Sequence, residues 1–289
     1  PSEIAKLGIV LVFAAGMAKR KNQEPRLRRK DPMWKNQLRS FLYWSDLGEL
    51  IPYVLVLGVI ALLMLKEPHM SGTILVLAAA AAILFTAGIK LGWFALGGGL
   101  VTFVMLIIVF VGGYNSDRIK TWQNPWWDPG DKGYQIVQSL YAVASGGLTG
   151  LGFGQSRQKY LYLPEEQNDF IFAIICEELG FIGATLIIIL FALLIIRGYW
   201  LALHARDRFG SLLIVGITTL LAVQVFLNMA VVLNVIPATG ISLPFFSYGG
   251  SSIMTMYVTM GIVSGIRIRS RPNWLKDQPS PTRGGKPGI

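Results

Sequence analysis

The chain has 289 residues, of which 53% are hydrophobic, 15% are charged and one is cysteine. A charged fraction so far below the ~25% of a soluble domain, with a mean hydropathy of +0.53, excludes a disordered chain, a disulfide scaffold and a soluble domain. The formal charge of +10 then points to basic loops on one side of a membrane rather than to nucleic acid.

Seven stretches approach the roughly 20 apolar residues that a spanning helix needs. They are about Ser2–Ala18, Leu47–Leu65, Ser71–Ile89, Gly92–Tyr114, Phe170–Ile196, Phe209–Asn234 and Ser251–Ile268. Lys and Arg are distributed one-sidedly between them. Nine lie in Lys19–Arg39, one is Lys90, three are Arg197, Arg206 and Arg208, and six run from Arg267 at the end of the last span onward, so these alternate regions hold 19 of the 26. That side is read as cytoplasmic, with the C-terminus inside and the connection 115–169 outside. Seven crossings then place Pro1 outside. A chain opening on Pro-Ser-Glu ahead of an apolar run reads as a helix start, and the parity predicts an odd number of further spans upstream.

Residues 1–268 read as one membrane domain and 269–289, rich in Pro, Gly and basic residues, as a disordered cytoplasmic tail. Connection 115–169 is far longer than usual, and such loops tend to carry function. It is also aromatic, with Trp122, Trp126, Trp127, Tyr141, Phe153, Tyr160 and Tyr162, which suits a loop lying in the outer interface or folded back on the protein. Within it Tyr134–Ala144 reads as a short amphipathic helix with Ile136, Val137, Leu140, Tyr141 and Ala144 on one side.

An ionisable residue at membrane depth is a candidate functional group. Glu3 and Lys6 are three apart and share a helix face, as a local ion pair or as the lining of a polar cavity. Asp169 directly precedes the fifth span, as an N-cap or as a general base at the outer mouth of the bundle. Glu165 and Glu166 read as solvated charges. Glu177 and Glu178, two turns into that span, call for buried hydrogen bonds. The run Gly146–Gly154 has no preceding strand or βαβ unit, so nucleotide binding is rejected in favour of a flexible turn. His69 and His204 fall on opposite sides, and Cys176 is alone, so neither a zinc site nor a disulfide is available. The segment Leu243-Pro244-Phe245-Phe246-Ser247-Tyr248 breaks helix at membrane depth. Such backbone is tolerated only against protein or a water-filled cavity, so it reads either as a kinked, closely packed helix start or as one wall of an outward-facing site.

Several segments in order resemble the SEDS family, whose members include FtsW, RodA and SpoVE. They are Pro1-Ser2-Glu3-Ile4-Ala5-Lys6, Glu67-Pro68-His69-Met70-Ser71-Gly72-Thr73, Gly133-Tyr134-Gln135 with Gly146-Gly147, residues 163–173, Glu177-Glu178-Leu179-Gly180, Pro237-Ala238-Thr239-Gly240 and residues 243–252. Glu67 to Gly72, and Asn168 ahead of Asp169, are most like the FtsW and SpoVE branch. The resemblance implies an all-α, ten-helix membrane enzyme of which this chain is the last seven spans. It would be a peptidoglycan glycosyltransferase of the bacterial plasma membrane that polymerises lipid II during division or sporulation, with its active site outside. Asp169 matches the family's essential aspartate, and Glu3 and Lys6 its polar pair; Arg157, Lys159, Ser247 and Tyr248 are further candidates for the substrate cavity. The implied partners are lipid II, undecaprenyl-linked glycan, a class B penicillin-binding protein and the division or sporulation machinery, with no nucleic acid. A divalent cation, Mg or Mn, could assist, although the sequence displays no ligand set. A lipid II flippase and a non-catalytic scaffold for a transpeptidase are the competing readings; the absence of charge in the middle of the third, fourth and sixth spans favours the enzyme.

Overall fold

The computed structural model describes residues 2–20, 47–66, 70–99, 116–131, 133–159, 163–164 and 167–270. The basic connection 21–46, the second half of the fourth predicted span, Glu67 to His69, Tyr160, Tyr162, Glu165, Glu166 and the tail from 271 onward lie outside them. Among the described residues every regular element is helical: α1 Ser2–Ala18, α2 Leu47–Lys66, α3 Met70–Thr86, a helical stretch over 91–99, α4 Ser116–Gln123, a single 3-10 turn Pro125–Trp127, α5 Tyr134–Ser145, α6 Ile171–Leu203, α7 Arg208–Val232 and α8 Gly250–Arg269. Helices α6, α7 and α8 are long and apolar enough to cross a membrane.

Helix α7 is the hub, and the most buried of the three long helices. One of its faces meets α1 and α3 in a cluster that includes Val10, Phe13 and Met17, Ala79 and Ile83, and Leu213 and Ile214. A side chain at Gly216 would place its Cβ 2.6 Å from Val10 and 2.7 Å from Ile83. The bare glycine lets three backbones converge, the device that membrane helices use where lipid offers no hydrophobic drive. The other face meets α6 and the outer loops through Phe172, Phe191, Leu221, Val225, Leu163 and Leu243.

The basic residues gather at one end. Arg208 donates to the carbonyls of Arg20 at 3.1 Å and Ala87 at 2.9 Å, and the Arg206 N–H donates to Ser270 Oγ at 3.1 Å. The ends of α1, α3 and α8 are thereby tied to the α6–α7 turn. Asp207 caps α7 by accepting from Gly210 N–H at 2.9 Å.

Helix α6 runs seven residues past its predicted end at Ile196, because Arg197 does not stop it. The Arg197 guanidinium lies 4.1 Å from the Trp200 ring centroid, and Trp200 stacks on His204 at 4.1 Å. A guanidinium resting on an aromatic face is tolerated near a membrane boundary where a bare charge is not.

Near its other end α6 is broken. Gly180 has φ 65° and ψ −169°, a region open essentially to glycine alone. The Gly146–Gly154 run fills the break. Leu151 and Gly152 N–H groups donate to the carbonyls of Glu177 (2.9 Å) and Glu178 (3.1 Å), while Phe181 and Ile182 N–H groups donate to the carbonyls of Gly147 (2.9 Å) and Leu148 (3.1 Å). These are the backbone groups that a helix break would otherwise leave unpaired in an apolar setting. The expected flexible turn is therefore corrected: the glycines are needed for close approach, since a Cβ at Gly146 would stand 2.0 Å from the Cys176 carbonyl and one at Gly150 2.1 Å from that of Glu178.

The amphipathic helix forms as Tyr134–Ser145, but its buried face is Ile136, Val137, Ser139 and Ala142, while Tyr141 and Ala144 are exposed. Polarity rotates it: Ser139 Oγ donates to the Val232 carbonyl at 2.9 Å at the end of α7, and Tyr141 turns outward to pack edge-on against Trp126.

Candidate active site

Helix α6 begins at Ile171, its cap position is Phe170, and no side chain caps it. The N-cap reading of Asp169 is thus not the structural one. Asp169 lies instead in the loop ahead of the helix, held by its backbone. Asn228 of α7 donates from its single amide nitrogen to the Asp169 carbonyl at 2.8 Å and to the Ile241 carbonyl at 2.6 Å. Ser247 Oγ donates to the Asn168 carbonyl at 2.6 Å and accepts from Leu243 N–H at 2.6 Å. Tyr248 N–H donates to the Gln167 carbonyl at 2.7 Å. The helix-breaking segment 241–248 and the Asp169 loop are therefore laced together, residue by residue. Gly240 takes φ 67°, and a Cβ there would stand 3.4 Å from Asp169 Oδ2, so the 238–241 backbone passes directly beside the carboxylate.

One helical turn along α7, about 6 Å, is Gln224. It donates to the Ser242 carbonyl at 3.0 Å and lines a small pocket with Glu3 and Lys6 of α1 and Ser252, Thr255 and Thr259 of α8. Lys6 Nζ donates to Glu3 Oε1 at 2.6 Å, with the Lys6 side chain 9% exposed. The pair is a local ion pair, and both residues lie on the wall of this largely apolar pocket. A cation buried this far needs its counter-ion, and Glu3 supplies it.

Ser247 and Tyr248, both candidates for the substrate cavity, are placed differently from each other. Ser247 is buried with its hydroxyl engaged by two backbone groups, whereas the Tyr248 side chain is exposed. Lys159 is ion-paired to Glu178 at 3.0 Å and donates to the Gly154 carbonyl at 2.5 Å. The Arg157 side chain is exposed.

Glu177 is 1% exposed and meets the expectation of buried hydrogen bonds. It accepts from Ser156 Oγ, from the N–H groups of Arg157 (3.1 Å) and Gln158 (3.3 Å), and from Ser145 Oγ at 3.4 Å. One carboxylate thus gathers the far end of the glycine loop onto α6. Glu177→Ala strips the partner from two N–H groups and two hydroxyls at once. Its expected cost is about 3–5 kcal/mol, read as a lower melting temperature in detergent, whereas exposed Arg157→Ala should leave melting within about 0.5 kcal/mol of the parent.

Residues of α4 close this end. Trp122 and Asn234 exchange hydrogen bonds, Trp122 Nε1 to the Asn234 carbonyl at 3.1 Å and Asn234 Nδ2 to the Trp122 carbonyl at 3.2 Å. Arg118 donates to the Ala238 carbonyl at 3.2 Å, two residues before Gly240. Sequence reasoning missed Asn228, Gln224 and Arg118. The first two carried a signal, two amides four apart in an otherwise apolar span; Arg118 carried none, because its acceptor lies 120 residues away. Among the described residues no three His, Cys, Asp or Glu side chains converge, so a divalent cation finds no ready donor set among them.

The family model described as "Cell cycle protein", covering FtsW, RodA and SpoVE, matches residues 1–271. Stage V sporulation protein E of Bacillus subtilis (strain 168) is 47% identical over 225 residues, covering 76% of this chain and 61% of that protein. The probable peptidoglycan glycosyltransferase FtsW of Geobacter sp. (strain M18) is 38% identical over 272 residues, 94% of this chain and 69% of the relative. The chain therefore spans about three fifths to two thirds of the length of these curated relatives. Among solved structures, a chain described under "Structural coordination of polymerization and crosslinking by a peptidoglycan synthase complex" superposes with a TM-score of 0.64 at 28% identity, over 93% of this chain and 70% of that one. The Thermus thermophilus rod shape determining protein RodA superposes at 0.56 and 26% identity, over 94% of this chain and 66% of that one.

Proposed function

The chain belongs to the FtsW/RodA/SpoVE family of membrane proteins, and from that premise we propose that the full-length protein is a peptidoglycan glycosyltransferase polymerising lipid II. The observation that carries this reading is that α7 holds the Asp169 backbone through Asn228 and, one turn away, lines through Gln224 a pocket that contains the Glu3–Lys6 pair. Asp169 accepts the proton of, or orients, the sugar 4-hydroxyl of one lipid-linked disaccharide. That oxygen attacks the anomeric carbon of the growing glycan, the bond to the pyrophosphate oxygen breaks, and undecaprenyl pyrophosphate departs. Lys6, oriented by Glu3, offsets the leaving charge in a setting of low dielectric. Lys159 is less suited to that task, being committed to Glu178, and exposed Arg157 remains available to an incoming pyrophosphate. Ser247 shapes the site through the backbone, and a divalent cation that assists the departing pyrophosphate would have to complete its donor set from the substrate.

In this reading the chain contributes seven spans of a ten-helix bundle, 1–268, followed by a cytoplasmic tail, 269–289. The end that gathers Arg20, Arg206 and Arg208 faces the cytoplasm, and Asp169 faces outward. The glycan is handed to a class B penicillin-binding protein in division or sporulation. The test is incubation of the purified full-length protein with lipid II, alone and with a transpeptidase partner. Glycan polymer together with released undecaprenyl pyrophosphate is expected. Movement of labelled lipid II across vesicles without polymer would instead establish a transporter, and inactivity under both conditions a scaffold.

A further inference from the structure

A carboxylate that reacts must be held within a fraction of an ångström, and Asp169 lies in the loop ahead of the helix, whose cap position is Phe170. Its backbone is held from α7, beside the 241–247 segment. Asn228 is 1% exposed and spends both amide hydrogens on backbone carbonyls, those of Asp169 and Ile241, while its Oδ1 is buried with no hydrogen-bond partner. A buried, unpaired acceptor costs about 1–3 kcal/mol. A residue retained despite that cost is not there for stability alone; what it provides is the bridge between the two carbonyls.

We infer that Asn228 is a positioning residue for the reaction, its amide setting where the Asp169 carboxylate stands relative to the cavity. The inference rests on Asp169 being the reacting carboxylate. Three further contacts agree with it. Gln224, four residues earlier on the same helix, holds the next residue of the segment through the Ser242 carbonyl at 3.0 Å. Ser242 Oγ lies 3.4 Å from Ser252 Oγ on the cavity wall. Ser247 fastens the adjoining pair, Asn168 and Leu243, from the other side. Asp169, Ile241 and Ser242 are thus fastened to the helix that also lines the cavity, Ser247 ties Asn168 to Leu243 within the loops, and Gly240 brings the segment to the carboxylate. Asn228 is the α7 side chain that bridges the two segments at Asp169 itself, and Ser247 bridges them one residue earlier.

The experiment measures steady-state polymerisation of lipid II by the full-length protein carrying Asn228→Asp, which keeps the shape and removes the donor nitrogen, or Asn228→Ser, which keeps one short donor without introducing a charge. Both are expected to lower kcat by about 10- to 100-fold, as misplacement of a reacting group by an ångström does, with KM for lipid II within about twofold and with the pH limb of kcat displaced. Should Asn228→Asp fail to fold, Asn228→Ser and Ser247→Ala carry the same readouts, Ser247→Ala with a smaller effect. Unchanged kcat and pH limb in folded variants would overturn the inference. A loss confined to KM, or one that merely tracks the melting temperature, would overturn it too. Asp169→Asn, run alongside, separates the two failures: if that protein is active, the reading of Asp169 has failed, and if it is dead while the Asn228 variants are normal, only the positioning role has.

Discussion

A full-length protein carrying Asp169→Asn is expected to reach the membrane at normal yield, melt like the parent, and polymerise lipid II about 10²- to 10⁴-fold more slowly, the range lost with a general base. The structure separates the two effects. The clamps on this loop act on the carbonyls of Gln167, Asn168 and Asp169, so an isosteric amide leaves those bonds intact while it removes the proton-accepting carboxylate. Lys6→Met offers the contrast. It leaves the Glu3 carboxylate in the cavity without its cation, a loss that falls on folding as well as on the handling of pyrophosphate. Paired with Glu3→Gln the structural part should be largely restored, and any remaining defect in turnover then belongs to chemistry. Polymer yield from Asp169→Asn above a tenth of the parent's would sink the assignment of Asp169 as the base.

Length and apolarity gave the helices away, because a lipid-embedded helix has no other way to satisfy its backbone. The bounds of α1 were legible to the residue, and those of α7 and α8 nearly so. The errors have physical causes. Arg197 reads as a boundary, but Trp200 shelters its charge. The outer amphipathic helix was assigned its buried face by apolarity, whereas a single serine reaching the Val232 carbonyl settled the rotation. Of the site, the charged residues were visible since charge is rare at such depth; Asp169, Glu3 and Lys6 needed no structure to be singled out. Asn228 and Gln224 were not, for an isolated amide in an apolar span announces no partner. Theirs are backbone carbonyls 13 and 18 positions along the chain, whose proximity depends on the return of the 241–248 segment over the end of α7.

The glycine run is the sharpest case of a pattern whose meaning required the fold, and it carries the second large prediction. Gly180→Ala should prevent the protein from accumulating in the membrane, or leave it several kcal/mol less stable. Two costs combine. The backbone at φ 65° and ψ −169° strains any residue with a side chain by about 1–3 kcal/mol. The added Cβ would also stand 2.3 Å from the Gly150 nitrogen and 2.7 Å from the Leu148 carbonyl oxygen, and backbone in a packed loop cannot step aside. Retreat of the loop would forfeit the four hydrogen bonds that bridge the helix break, each worth about 0.5–1.5 kcal/mol net, and would expose the broken helix to an apolar surrounding where the penalty is larger. Gly147→Ala isolates the first cost from the second: its φ is 52°, but nothing lies within 4 Å of the added Cβ, so it should lose only about 1–2 kcal/mol. Gly150→Ala, with φ 79° and the Glu178 carbonyl oxygen 2.1 Å from the new carbon, should behave like Gly180→Ala from the other side of the same contact. Melting of detergent-purified variants decides the matter, and equal stability of Gly180→Ala and Gly147→Ala would show that the loop is not wedged into the break at all. The consequence reaches the site, because the break lies between Glu177, which gathers residues 156–158, and the remainder of α6. A loop forced out at Gly180 pulls on the first turns of the helix that directly follows Asp169 in the chain.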